Sequence, residues 1–192
     1  MMSGKNKGNP ISNQSKRWME DALLKLMQTE NYHEITIQEI TDNAGLSRRT
    51  FYRNYFSKDE ILEGCFHKVW LEYESLIRQQ IDLSLPNIAR IFFTVMEKHF
   101  DFLSLVNRHH LLPFFGSKFA EFLPPVFDEV KGKGMPFHKE SIQYALIFST
   151  GGFMHILIRW LNDSVQKSPE EMAAVVKDFI SIFNYPNFIK NR

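Results

Sequence analysis

The stretch that most constrains the fold is residues 36–58, which predict two short helices joined by a tight turn. Apolar residues recur at helical spacing in the first helix, and Thr36 with Glu39 three residues later is the pattern of a capping box. Gly45 ends this helix, because glycine adopts a positive φ at little cost. Ser47 is then placed to cap the second helix.

The second short helix covers residues 48–55 and has two unlike sides. Phe51 and Tyr55, four residues apart, give it an aromatic side. The other side carries three arginines and the phenol of Tyr52. A helix with these two sides can pack on a partner helix and also enter the major groove of a DNA duplex.

The rest of the chain predicts further helices, because apolar residues recur at helical spacing and no stretch alternates with period two over a strand's length. We therefore predict an all-α protein with an N-terminal three-helix, helix-turn-helix head and a C-terminal helical bundle. The predicted parts are a flexible N-terminal arm (1–14), a DNA-binding domain (15–57) and a C-terminal effector-binding and dimerisation domain (58–192). The first helix is expected from Ser15 to Glu30.

Three features of the C-terminal half carry their own expectations. Pro124 and Pro125 predict a break in the segment 113–130. Residues 144–160 predict a buried helix and not a membrane span, because polar residues interrupt them. Gly151 and Gly152 within that helix predict a bend or the close approach of another backbone.

Charge and cysteine content narrow the class of protein. The 192 residues have a formal net charge of +1, but residues 1–58 hold three more basic than acidic side chains. A modest basic patch on a near-neutral body favours specific duplex binding. Cys65 is the single cysteine, and the N-terminus lacks the apolar core of a signal peptide, so we expect a cytoplasmic protein.

The pattern of residues 36–62 resembles the DNA-binding motif of the TetR/AcrR family of transcriptional regulators. The residues that carry the resemblance are Thr36, Ile40, Thr41, Ala44, Gly45, Leu46, Ser47, Phe51, Tyr52, Arg53, Asn54, Tyr55, Ser57, Lys58, Asp59, Glu60, Ile61 and Leu62. Asn54 stands where the family usually has His or Tyr, and Tyr55 where it usually has Phe. Beyond about residue 65 the resemblance is only architectural.

The resemblance implies a sequence-specific DNA-binding regulator, most often a repressor that an effector releases. It also implies a homodimer whose two recognition helices read a near-palindromic operator. Arg48 and Arg49 are the candidates for reading guanine. Tyr52, Asn54 and Lys58 correspond to family phosphate contacts. The full set expected at DNA is Thr36, Ser47, Arg48, Arg49, Thr50, Tyr52, Arg53, Asn54 and Lys58.

The phenylalanine surplus of the chain sits mainly in residues 92–127 and has two readings, a cavity for an apolar or aromatic effector or ordinary core. The residues expected to line such a cavity are Phe92, Met96, His99, Phe115, Phe119 and Phe148. The last two predicted helices offer the glycine pair and a wide apolar stripe, which can form an intersubunit four-helix bundle. The residues expected at that dimer interface are Phe153, Ile156, Trp160, Val176, Phe179 and Phe183.

Two other classes of function stand beside the regulator. One is a co-activator or adaptor of the same fold that acts through protein partners, which the intact arginine side argues against. The other is an enzyme, but no nucleophile–base pair, metal triad or phosphate loop occurs, so none is predicted. The histidines show no repeating ligand spacing, so neither a metal nor a cofactor is predicted.

Overall fold

The computed structural model describes residues 10–130 and 137–183, with side chains from Ser12 to Ile182 outside that gap. The described residues form helices and no strand, which confirms the all-α prediction. In chain order the helices are α1 (Pro10–Leu26), α2 (Ile37–Asn43), α3 (Arg48–Asn54), α4 (Lys58–Arg78), α5 (Leu85–Lys98), α6 (Phe100–Arg108), α7 (Leu112–Val130), α8 (Lys139–Asn162) and α9 (Pro169–Phe183).

The chain divides into two compact units, Met1–His67 and Lys68–Arg192. The division lies within α4, whereas the sequence analysis placed the domain boundary after residue 57. α1 begins at Pro10, earlier than the start expected at Ser15, and residues 1–9 of the expected arm lie outside the described residues.

The first unit, which we call the head, is built on side chains from each of its helices. Met19 and Leu23 of α1, Ile40 of α2, Phe51 of α3 and Leu62 of α4 are all at most 1% exposed. Their spacing along each helix puts them on one face, so the four helices share one small apolar core. This core holds α3 with its opposite side in solvent.

The second unit, which we call the body, packs α5 mainly against α9 and α7 mainly against α8. Phe92 is central to its aromatic cluster, with ring centroids 6.0 Å from Tyr73, 5.7 Å from Phe119 and 5.1 Å from Phe153. Rings at such distances, mostly edge to face, pack favourably. The phenylalanine surplus therefore supplies the inside of the body.

α7 corrects the break expected at Pro124 and Pro125, because the helix continues through both. Each proline removes a backbone donor, and its ring crowds the carbonyl four residues earlier, which costs about 3 kcal/mol in a helix interior. Apolar side chains on both sides of them, Phe119 and Val126, are at most 4% exposed. Tertiary packing of this kind routinely overrides local helix propensity.

α8 corrects the expectation of a buried helix. Tyr144, Ile147 and Phe148 are 66%, 62% and 72% exposed. A Cβ added to Gly151 or Gly152 would meet nothing within 4 Å. The described part of the protomer therefore makes no close approach to the glycine pair, and one side of α8 is an exposed apolar face.

Candidate nucleic-acid interface and body cavity

α3 presents its cationic side to solvent. Arg48, Arg49 and Arg53 are exposed, and none makes a hydrogen bond or ion pair with any residue that the structure describes. Tyr52 is half exposed, and its ring meets the ring of the fully buried Phe51 edge to face at 5.4 Å. Phe51 thus fixes the helix, while the guanidinium groups keep their donors for a ligand.

Side-chain caps set the starts of α2 and α3 where the sequence predicted them. The Glu39 N–H donates to Thr36 Oγ1 (3.2 Å), and the Thr36 hydroxyl and N–H each donate to the Glu39 carboxylate (2.7 Å). The hydrogen bond from the Thr36 side chain is the largest cause that lowers the pKa of Glu39. At α3, Ser47 Oγ accepts from the Thr50 N–H at 3.1 Å. Both caps therefore confirm the predicted helix boundaries.

The turn between α2 and α3 depends on Gly45, whose φ is +63°. Nothing lies within 4 Å of the position its Cβ would take, so the backbone conformation alone selects glycine there. After the turn, the Leu46 N–H donates to the Thr41 carbonyl at 2.9 Å. The turn is thus short and hydrogen-bonded, and it fixes the direction in which α3 leaves α2.

Lys58 was expected to contact a phosphate, but in the structure it binds backbone carbonyls of the head. Its Nζ donates to the backbone carbonyls of Tyr32 (2.6 Å), His33 (3.1 Å) and Ile35 (2.8 Å). An ammonium has three donors, so all of them are used within the head. Partial burial lowers the pKa of Lys58, with the neighbouring acids Asp59 and Glu39 acting in the opposite direction. In this conformation Lys58 has no N–H left for DNA.

The two departures from the family pattern each have a partner in α1. Asn54 accepts a hydrogen bond from Ser12 Oγ (2.6 Å) and donates to the Thr50 carbonyl (2.8 Å). The Tyr55 hydroxyl donates to the buried Glu20 carboxylate at 3.4 Å. Burial, and then the charge of Glu20, raises the pKa of Tyr55. Both residues therefore attach α3 to α1, and the α1 partners could not be assigned from the motif.

The body contains a cavity of about 500 Å³ between parts of α4, α5, α7 and α8. Its described lining is apolar apart from four hydroxyl-bearing residues. Those residues are Tyr73, Ser141, Ser149 and Thr150. A concave, mainly apolar site with a few polar groups is the usual form of a small-molecule pocket.

The residues expected to line a cavity fall into three groups. Phe92 and Phe119 line it. Met96, Phe115 and His99 are not in the described lining. Met96 and Phe115 are core residues, at most 1% exposed. The His99 Nε2 lies 2.8 Å from a carboxylate oxygen of Glu72. Phe148 lies on the exposed side of α8. The residues predicted from the sequence include none of the α8 hydroxyl groups that line the cavity, although Ser141, Ala145 and Ser149 recur every four residues and form a line of small side chains.

The residues expected at a dimer interface are also divided. Trp160 and Val176 are at most 3% exposed inside the protomer, and Phe153 lines the cavity. Ile156 is half-buried, Phe179 is 39% exposed, and the side chain of Phe183 lies outside the described residues. The apolar side chains most open to solvent on α8 are instead Tyr144, Ile147 and Phe148.

Two family profiles match the chain, one for each part of it. The profile described as "Bacterial regulatory proteins, tetR family" matches residues 21–65, which hold the capped helices and the arginine side of α3. The profile described as "Transcriptional regulator C-terminal region" matches residues 84–181. The chain belongs to the TetR family. TetR-family regulators bind DNA and act as dimers, and they are generally non-enzymatic.

Solved structures share the fold of this TetR-family chain at low sequence identity. Lin0861 from Listeria innocua is 13% identical with a TM-score of 0.76, covering 94% of this chain and 96% of its own. A TetR transcriptional regulator from Streptococcus agalactiae 2603V is 19% identical with a TM-score of 0.59, covering 90% and 94%. The dihydroxyacetone kinase operon activator DhaS is 18% identical with a TM-score of 0.54, covering 88% and 95%. No functionally curated protein matches the chain in sequence.

By length and composition alone, α8 could cross a membrane. In its most apolar stretch of 18 residues, 17% of the residues are buried. The family consists of soluble DNA-binding proteins, and a single such helix is weak evidence of a span. Within residues 10–130 and 137–183, no group of three His, Cys, Asp or Glu side chains could hold a metal ion.

Proposed function

We propose that the chain is a dimeric, sequence-specific transcriptional regulator of the cytoplasm, in which α3 reads DNA and the body cavity takes an effector. The observation that carries the DNA-binding part is the arginine side of α3, which is exposed and without a partner among the described residues. Arg48 and Arg49 lie in the first turn of α3, where a recognition helix contacts base edges. Thr36, Ser47 and Thr50 lie at the starts of α2 and α3, where hydroxyl groups can reach phosphates.

The test of DNA binding uses duplexes from the DNA that flanks the gene, with fluorescence anisotropy over a series of salt concentrations. We expect selective binding that weakens steeply with salt, because each phosphate contact releases counterions. The double variant Arg48→Ala/Arg49→Ala should lose selectivity. Its charge-matched control, Arg108→Ala/Lys139→Ala, removes two exposed cations from the body and should bind like the wild type. Weak binding that is equal for all duplexes would contradict the proposal.

A second copy of the chain is the proposed partner of the exposed side of α8. Three large apolar side chains and two uncovered glycines lie there, and apolar surface of this kind favours burial at an interface. Glycines allow two helix backbones to approach closely. α9 adds Val175, Phe179 and Ile182, which are 41%, 39% and 49% exposed.

The test of this interface is sedimentation velocity of Phe148→Glu. We expect the variant to be a monomer that has lost operator binding, because a charge would be buried without a partner in the dimer. Val165→Glu is the matched control, since Val165 is 78% exposed and lies outside the helices. A wild type that is monomeric at micromolar concentration, or a Phe148→Glu dimer, would refute the interface.

Repression is the proposed sign of regulation, and activation is the second candidate. The fold neighbour DhaS is described as an operon activator, which supports activation as the second candidate. Deleting the gene should raise transcription of its target if the protein represses, and lower it if the protein activates. Regulation that persists in Arg48→Ala/Arg49→Ala would favour a co-activator or adaptor.

A further inference from the structure

The Tyr73 hydroxyl has no hydrogen-bond partner among the described residues and lies in the cavity lining. Tyr73 is 3% exposed, and its ring packs against Phe92 and Phe119, but its hydroxyl oxygen is not fully buried. The Thr150 Oγ1 also has no partner, but it is fully buried, so a ligand atom in the cavity does not reach it. Polar groups inside folded proteins are nearly always paired, so the Tyr73 hydroxyl calls for a partner. A ligand in the cavity would supply one.

The cavity lining that the structure describes offers no charge to an ionised ligand. It holds hydroxyl groups and apolar side chains only. Burial raises the pKa of Tyr73, which keeps its phenol protonated and able to donate. An ion that entered would lose its hydration without gaining a counter-charge.

We infer that the cavity takes an uncharged, mainly apolar molecule whose polar group forms a hydrogen bond with the Tyr73 hydroxyl. The inference rests on the proposed function, from which the effector role comes, and it adds the chemical class of the effector. The volume of about 500 Å³ lies within the range of pockets for drug-sized ligands. The rings of Phe92, Phe119 and Phe153 favour a planar or aromatic body.

The test uses four probes of one shape: naphthalene, 2-naphthol, 2-naphthoate and 2-naphthylmethylammonium. Their affinities for the full chain are measured by displacement of the neutral dye Nile red, without DNA. We expect 2-naphthol to bind about tenfold more tightly than naphthalene and than either ion, because only 2-naphthol pairs with the Tyr73 hydroxyl without bringing a charge.

A matched variant assigns the selectivity to the Tyr73 hydroxyl. Tyr73→Phe keeps the ring, so naphthalene should bind within about twofold of the wild type. The preference for 2-naphthol over naphthalene should fall in this variant. Thr150→Val and Ser104→Ala each remove a fully buried hydroxyl without a partner, which a cavity ligand does not reach, so both should leave the affinities unchanged. Thermal unfolding of Thr150→Val without a probe should be unchanged or raised, since it removes an unpaired group.

Three results would overturn the inference. The first is 2-naphthoate or the ammonium probe binding as tightly as 2-naphthol. The second is Tyr73→Phe retaining the preference for 2-naphthol, and the third is no probe binding below about 1 mM. Duplex binding is measured separately on the same protein. Selective probe binding without operator binding would therefore refute the proposed regulator function but support the inferred ligand class. Operator binding without selective probe binding would support the regulator function and refute the ligand class.

Discussion

The Lys58 ammonium donates to the Tyr32 carbonyl at 2.6 Å and lies 4.7 Å from the centroid of the Tyr32 ring. The Tyr32 hydroxyl donates in turn to Asp59, the residue after Lys58. The two residues thereby join the segment between α1 and α2 to the first turn of α4. A lysine of the DNA-binding motif thus stabilises the head from within.

Lys58→Met should lower the free energy of unfolding by about 1–3 kcal/mol, because three carbonyls lose a charged donor. Urea unfolding followed by circular dichroism measures this change. Lys25→Met, which alters an exposed lysine of α1, is the control and should change stability by about 0.5 kcal/mol or less. A variant of unchanged stability whose duplex affinity depends less on salt would instead make Lys58 a phosphate contact.

Gly45→Ala should destabilise the protein by about 1 kcal/mol, because a Cβ is strained at a φ of +63°. Gly45→Asn should lose less, since asparagine tolerates the left-handed region better than alanine. The order of the three urea midpoints, Gly above Asn above Ala, is the measurement. Equal losses for Asn and Ala would contradict backbone strain as the cause.

Thr36→Val should raise the pKa of Glu39 toward the ordinary glutamate value of 4.5, because it removes the largest cause of the lowering. A carboxyl whose pKa is lowered on folding stabilises the protein above its unfolded pKa. This contribution is lost as the pH falls through the lowered, folded pKa. The wild type should therefore exceed Thr36→Val in urea midpoint at pH 7, and the gap should narrow below about pH 4.5.

Carbon-detected NMR of the Glu39 carboxyl follows this titration directly. Thr94→Val is the control, because the Thr94 hydroxyl donates to the Arg90 carbonyl and not to a carboxylate. A stability gap for Thr36→Val that does not change from neutral to acid pH would show that the Glu39 charge plays no part in the cap.

Trp160→Phe should lower the free energy of unfolding by about 1–3 kcal/mol. The Trp160 Nε1–H donates to the Lys167 carbonyl at 2.8 Å, and its ring packs on Phe93 and Phe100. Dimer dissociation should be unchanged, because Trp160 is buried within the protomer. Trp18→Phe, at a ring that is 47% exposed, is the matched control in chemical denaturation.

Gly151→Ala should raise the intrinsic stability of α8 by up to about 1 kcal/mol, because alanine is the better helix former. If a second copy covers this side of α8, the added methyl should also weaken dimerisation by about tenfold, measured by analytical ultracentrifugation. Gly64→Ala in α4 is the matched control, where the added Cβ would lie 3.8 Å from Glu20. It should leave the dimer unchanged.

The head could be predicted closely where its structure is determined by neighbouring residues. Thr36, Gly45 and Ser47 fix caps and a turn within four residues of themselves, so their pattern was enough. The bonds of Lys58 to Ile35 and of Ser12 to Asn54 cross 23 and 42 residues of sequence. A motif contains no information on hydrogen bonds between residues so far apart. These bonds occupy donors and acceptors of Lys58 and Asn54 that would otherwise be available for DNA.

The body was harder to predict, because periodicity identifies a helix but not the rotation of one apolar face against another. Met96 and Phe92 lie four residues apart on α5, yet only Phe92 lines the cavity. Trp160 was expected at the dimer interface because it lies on the helix that carries the glycine pair. Its ring and its N–H are instead satisfied within the protomer.

Ser149 and Gly151 lie two positions apart on α8, which turns them about 200° away from each other. Ser149 lines the cavity, whereas Gly151 lies on the exposed apolar side of α8. A shift of α8 that accommodates a molecule on the first side must displace the second as well. Thermodynamic linkage makes this effect reciprocal, so self-association would alter ligand affinity by the same factor. The cellular abundance of the protein would then tune its own sensitivity to its signal.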